Sequence, residues 1–236
     1  MNPVNEPQGR LDTVVASEFD GARISELDAL TWQREHDATE RLRSHTADGW
    51  LKGGRLRFEP RLRHGLRHAL GRRLPPRRRE FENLAHVRSL GLAAPRPMAA
   101  GVRWRAGLPI SQWLWVEHVP QVTALPALDS ARRADAIVRA AGELASIHAS
   151  GLRHGDAHPR NLLVADDGTT VWIDIWRYRV DGRGDVSVRG RAGDLHDLLD
   201  GTDRAVRRSA LDAYRSSAST RSADRACAQL DAAVGD

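Results

Sequence analysis

Residues 154 to 174 read HGDAHPRNLLVADDGTTVWID, and this stretch limits the available folds more than any other. Two short apolar runs, Leu162 to Val164 and Thr170 to Ile173, flank the turn formers Asp166, Asp167 and Gly168, which predicts a tight strand hairpin. Upstream, Ser130 is suited to cap a helix from Ala131 to about His148. Ala134, Ile137, Val138, Ala141, Leu144 and Ile147 mark its buried face. The loop between helix and hairpin carries Asp156 and Asn161, and Asp174 stands at the far end of the hairpin.

The chain ahead of this segment changes character several times. Residues 11–50 read as an irregular start with turns at Gly21 and Gly49, followed by strands. From Gly53 to Arg79 arginines are dense, and Leu62, Leu66, Leu70 and Leu74 recur every four residues. That spacing predicts an amphipathic helix stopped by Pro75 and Pro76. A second helix is predicted from Arg78 to Leu90, with Phe81, Leu84, Val87 and Leu90 on one side and Gly91 at its end. Gln112 to Val119 is rich in strand formers and ends at Pro120.

With 236 residues, 41% of them hydrophobic, the chain can build one large domain or two small lobes. It contains no run of 18 apolar residues, and its polar start, Met1 to Arg10, lacks the regions of a secretory signal, so a cytoplasmic location is expected. The single cysteine, Cys227, excludes an intrachain disulfide and a cysteine-based metal site. A net charge of +5 would suit a nucleic-acid partner. The basic residues, however, are arginines except for Lys52, a bias that reads as codon composition, and no nucleic acid is expected. Arginine still pairs bidentately with phosphates, which leaves an anionic partner open.

Asp156, Asn161 and Asp174 suit phosphoryl transfer. A protein doing this chemistry must hold Mg²⁺ against the phosphates of ATP and orient an attacking hydroxyl in line with the γ-phosphate. A carboxylate and an amide oxygen match a hard cation, and an aspartate free of metal can accept the hydroxyl proton. Asp156 and Asn161 could instead simply build turns. The order of helix, loop, hairpin and second aspartate argues for the chemistry.

These residues resemble the kinase catalytic loop, H-x-D-x-x-x-x-N, followed by strand, turn, strand and aspartate. The form HGDxHPxN resembles the small-molecule and atypical kinases. The stretch from Trp50 to Leu199 is similar to the lipopolysaccharide kinase family, which phosphorylates Kdo or heptose sugars of a lipid-linked core. Its upstream markers are Trp50-Leu51-Lys52, an arginine-rich insertion, and REFENLAHVRSLGLAAPRP. The resemblance implies an α+β, two-lobed protein-kinase-like fold. Residues 1–119 would form the N-terminal lobe, with a basic helical insertion at about 53–79, and residues 120–236 a reduced, mainly helical catalytic lobe.

By the same resemblance Asp156 is the catalytic base, Asn161 a metal ligand and Asp174 the principal metal ligand. Lys52 contacts the ATP phosphates and Glu80 is its ion-pair partner, with Glu82 as a rival. Trp115, Val116, Glu117 and His118 fall where a hinge offers backbone groups to adenine, although core strand is the plain alternative. His158 either approaches the γ-phosphate or locks the loop. Asp194, in GDLHDLL, orders the catalytic loop or caps a helix. ATP and Mg²⁺ are the implied cofactors.

The chain departs from the kinase pattern in three places. Ile175 and Trp176 follow the metal aspartate, no clear glycine-rich loop precedes Lys52, and no proline follows Pro159. About 60 residues after Asp174 are too few for a full peptide-binding lobe, which favours a sugar or glycolipid acceptor. Another small-molecule kinase, an atypical protein kinase and a non-catalytic nucleotide-binding or arginine-rich interaction protein are the alternatives. The basic stretch Arg55 to Arg79 either docks on an anionic membrane at the inner face or is a solvated helix face whose leucines pack inward.

Overall fold

The structure, a computed structural model, describes residues 9–15, 21–33, 38–43, 48–69, 74–175, 186–218 and 220–232. Leu70, Arg72, Arg73 and Trp176 lie outside them. The chain divides into two compact units, residues 1–85 with 95–119 and residues 86–94 with 120–236.

The first unit is built on a five-stranded sheet of β1 (Arg10–Val15), β2 (Ala38–Arg43), β3 (Asp48–Arg55), β4 (Pro97–Arg105) and β5 (Leu108–Glu117) in the order β1-β4-β5-β3-β2. Every pairing is antiparallel. β3 and β5 are central and buried, which suits WLWV at residues 113–116, because an interior strand reads as a continuous apolar run. Leu51, Met98, Trp113 and Trp115 are fully buried and pack with Leu27 of α1 (Gly21–Trp32). Gly21 therefore opens a helix rather than a turn, and Gly49 lies inside β3. On α1, buried Asp28 accepts hydrogen bonds from Arg103 and from the Trp113 indole at 3.3 Å. This satisfies both groups within the core.

Two further helices complete this part of the chain, α2 (Phe58–Ala69) and α3 (Pro76–Ser89). Pro76 does not stop a helix; it starts α3. Its fixed φ suits the first helical position, where no N–H is needed. Glu80, Phe81, Leu84 and Val87 of α3 are buried, whereas Leu90 is exposed beyond its end. Gly91 takes φ 79° there, the left-handed conformation that closes helices. Leu62 and Leu66 of α2 are 44% and 56% exposed. The face that α2 buries runs through Gly65, where an added Cβ would meet Leu108.

The second unit holds α4 (Ser130–Ala149), the small antiparallel sheet β6 (Val122–Ala124), β7 (Leu162–Ala165) and β8 (Thr170–Trp172), and the helices α5 (Val188–Leu198), α6 (Arg204–Ala218) and α7 (Arg221–Ala232). Asp129, not Ser130, caps α4, its side chain accepting from the Arg132 N–H. Ile137, Ala141, Leu144 and Ile147 are buried on α4 as the spacing predicts, and Ala134 and Val138 are half-buried. The β7–β8 hairpin is tied down by Glu143 of α4, which accepts from Thr170 Oγ1 and from Trp172 Nε1 at 2.7 Å. Burial pushes the Glu143 carboxyl above its usual value, against the lowering effect of these two donors.

Candidate active site

In the first unit Lys52 lies in the middle of β3, opposite Leu114 of β5 and Thr39 of β2. Its side chain is nearly buried, and Nζ stands 2.8 Å from Glu80 Oε1. Glu80 is fully buried on α3, and its other oxygen takes Arg77 Nη1 at 2.6 Å. A buried carboxylate with two cationic donors is a built feature, since a buried charge without a partner costs several kcal/mol, on the order of 3–5. Glu82 faces solvent and pairs with Arg78 at 3.6 Å, so Glu80 and not Glu82 is the partner of Lys52.

Glu117 ends β5. Its N–H donates to the Arg96 carbonyl at 2.9 Å, and its carboxylate pairs with Arg96 at 3.6 Å. The next residue, His118, accepts at Nδ1 from the Trp50 indole at 3.2 Å. Trp115 and Val116 are buried within the strand.

In the second unit the loop after α4 is folded on itself. Asn161 Nδ2 donates to the Asp156 carbonyl at 2.9 Å, and the Asn161 N–H donates to the His158 carbonyl at 2.8 Å. His158 caps the short 3-10 turn Pro159–Asn161, its Nδ1 accepting from the Arg160 N–H at 3.3 Å, while its Nε2 faces Asp200 at 3.6 Å. Asp156 is partly exposed and lies 3.4 Å from Arg160. The Ile173 N–H donates to the Asn161 carbonyl at 3.1 Å, so the hairpin returns Asp174 to the loop that holds Asp156 and Asn161. Asp174 has φ 57°. A left-handed conformation is uncommon for a residue other than glycine and concentrates at functional positions.

The loop is held by Asp194 of α5, which lies mid-helix; Ser187 is the cap of that helix. Asp194 accepts from the N–H groups of His154 at 2.8 Å and Gly155 at 3.0 Å, the two residues before Asp156. It also accepts from Arg153 Nε and His148 Nε2. Burial alone would raise its carboxyl, but the hydrogen bonds from His148 and the backbone outweigh it and hold it below the usual range. Burial lowers His148 against the pull of Asp194 and keeps the ring neutral. Its Nε2–H therefore donates to Asp194, and its Nδ1 accepts from Tyr214, whose hydroxyl takes a hydrogen bond from buried Arg191 at 2.6 Å.

The relay through Arg191, Tyr214 and His148 escapes sequence reasoning. Its successive members are 23 and 66 residues apart, and a histidine near the end of an apolar helix face reads as core.

Residues 54–200 match the model of the lipopolysaccharide kinase (Kdo/WaaP) family. The chain belongs to this family. A 3-deoxy-D-manno-octulosonic acid kinase of Vibrio cholerae serotype O1 (strain ATCC 39315 / El Tor Inaba N16961) is 35% identical over 96 residues, 40% of this chain. The chain spans 40% of the length of that relative in the match. A solved structure of WaaP in complex with acyl carrier protein superposes with a TM-score of 0.61 at 17% identity, covering 86% of this chain and 88% of that one. The fold is thus the α+β, protein-kinase-like fold of the Kdo/WaaP family. Within the family match fall Glu80, Glu117, His118, Asp156, His158, Asn161 and Asp174, while Lys52 lies two residues before its start.

Proposed function

We propose that this chain moves the γ-phosphate of ATP to a hydroxyl of a sugar, 3-deoxy-D-manno-octulosonic acid or a related core sugar carried on a lipid. The observation that supports this best is the buried Lys52–Glu80 pair of the first unit, found in a Kdo/WaaP-family chain whose second unit gathers Asp156, Asn161 and Asp174.

In this reading Lys52, steered by Glu80, contacts the ATP phosphates. Glu117 and His118 meet the adenine through their backbone; the Glu117 N–H is already engaged, which leaves its carbonyl. Asp156 accepts the proton of the acceptor hydroxyl as that oxygen forms its bond to the γ-phosphorus and the bond to the ADP oxygen breaks. His158 locks the loop. Asp174 and Asn161 fit Mg²⁺, since both offer oxygen and the Asn161 amide nitrogen is spent on the Asp156 carbonyl. No group of three or more His, Cys, Asp or Glu among the described residues could hold a metal unaided, and Mg²⁺ is commonly held by one or two side chains plus substrate phosphates. When bound, the ion would neutralise charge developing on those phosphates.

The test is transfer of labelled phosphate from ATP, with Mg²⁺, to lipid-linked 3-deoxy-D-manno-octulosonic acid, other core sugars, aminoglycosides and generic proteins. Label on the sugars alone is expected. Label on aminoglycosides or proteins instead would replace the acceptor, and an absence of both transfer and ATP hydrolysis would overturn the reading.

No described helix is long and apolar enough to cross a membrane, and a cytoplasmic, peripheral location at the inner membrane face is part of the proposal. Exposed Leu62 and Leu66 on arginine-rich α2 support it, because an apolar stripe beside basic residues suits an anionic interface. The basic surface is narrower than the stretch Arg55 to Arg79 suggests. Arg77 and Arg78 pair with glutamates, Arg79 donates to the Leu74 carbonyl, Arg61 to that of Leu56, and Arg55 lies over the Trp32 ring.

A further inference from the structure

We infer that the acceptor sugar sits in a cavity of the second unit between the start of α4, the turn carrying His158 and Pro159, and the segment from Asp200 into α6, with His158 and Asp200 gripping one of its hydroxyls. This rests on the phosphotransfer reading and adds to it a location and two contact residues.

The cavity measures about 360 Å³, within the usual range for small-ligand pockets of about 300–1,000 Å³. Its lining is apolar at Ala134, Ile137, Pro159 and Val206 and polar at His158 and Asp200. That division suits a sugar ring, which offers a C–H face to packing and hydroxyls to its edge.

His158 and Pro159 follow Asp156 by two and three residues on a loop closed by its own hydrogen bonds. Part of the cavity lining and the proton acceptor therefore share one loop, although Asp156 itself is not among the lining residues. In this reading the shared loop sets the distance between the seated ring and Asp156.

The tautomer of His158 strengthens the assignment. Nδ1 accepts from the Arg160 N–H, so in the neutral ring Nε2 carries the proton. That proton faces Asp200 Oδ2 across 3.6 Å, longer than a direct hydrogen bond. A hydroxyl placed at hydrogen-bonding distance from both would accept from Nε2–H and donate to the carboxylate. Asp200 is well exposed and His158 about one-third exposed, so both can be reached.

The experiment titrates the full chain with free 3-deoxy-D-manno-octulosonic acid at millimolar concentration and, separately, with Mg²⁺ and ATP, by calorimetry. It compares the parent with Ala134→Trp, which fills the cavity from α4, and with the isosteric Asp200→Asn. Both variants are expected to weaken sugar binding about tenfold or more and to leave ATP affinity within about twofold. Parental sugar affinity in Ala134→Trp overturns the location. Equal losses of sugar and ATP affinity in Asp200→Asn assign that residue to the fold and overturn its contact role. A parent that binds ATP but not the sugar overturns the cavity while leaving phosphotransfer standing. A parent that binds the sugar but not ATP removes the phosphotransfer reading and with it the sugar's role as acceptor, the two variants then deciding only where the sugar binds.

Discussion

Asp174 sits at φ 57°, a conformation that asparagine adopts more readily than alanine. Asp174→Asn thus removes the charge without straining the turn. Stability should stay within about 1 kcal/mol of the parent by urea unfolding, while the effect of Mg²⁺ on ATP affinity, read by calorimetry, should disappear. Asp156→Asn is expected to keep ATP binding and lower turnover on the order of 10² to 10⁴-fold, the worth of a positioned base. Unaltered turnover in the transfer assay would remove Asp156 from that role. Lys52→Arg preserves the charge, but the planar guanidinium cannot occupy the buried place of an ammonium 2.8 Å from Glu80. Activity should fall steeply with little change in net charge. The loop and hairpin that carry Asp156 and Asp174 were legible from local turn residues and apolar runs, whereas the pairing of Lys52 with Glu80 was reached only through the resemblance. His158 was placed on that loop, but Asp200, 3.6 Å from it, lies 42 positions downstream, and no local pattern joins them.

Of the two readings of Asp194, the loop anchor holds and the helix cap does not: α5 anchors the loop that carries Asp156 through this one side chain. Removing Asp194 would strand Arg153, the His148 N–H and two backbone N–H groups. Asp194→Ala should therefore cost about 3–5 kcal/mol in denaturant unfolding and loosen the His154–Asp156 segment in hydrogen exchange. Parental protection of those amides in the variant would show that α5 is not the anchor. Helices α3 and α4 and the β7–β8 hairpin were readable because their apolar periodicity or turn residues act locally. α1 was not: Gly21 reads as a turn, and buried Asp28 and Thr31 interrupt the apolar face that would mark a helix. β4 carries no local signal of its own, as its alanines and glycine have little strand preference and are ordered by pairing with β1 and β5. Of the two readings of α2, the one with leucines packed inward does not hold, because the close approach of Gly65 to Leu108 turns Leu62 and Leu66 outward.

Across the whole molecule, acid should be destabilising from near neutrality downward. Burial lowers both His148 and His154 below their ordinary value of 6.5. The folded state keeps them neutral while the unfolded chain takes up protons, so their contribution is complete above about 6.5 and is lost as pH falls, at up to about 1.4 kcal/mol per pH unit for each. Asp194, held low, adds a further loss in stronger acid, while Glu143, pushed up by burial, acts in the opposite sense and flattens the curve. Both His154 ring nitrogens lack a hydrogen-bond partner among the described residues. His154→Phe should therefore be neutral or stabilising at pH 7 and should reduce the slope between about pH 7 and 5.5, as unfolding measured across that range would reveal. Residues 86–94 belong to the second unit although they precede part of the first. There the Trp172 N–H donates to the Ala93 carbonyl, and Ala93 bridges Val171 beside the hairpin that carries Asp174. A gene divided at codon 120 would consequently yield a downstream fragment missing the strip of backbone that braces its hairpin, and dissection of this protein calls for a graft of that strip rather than a single cut.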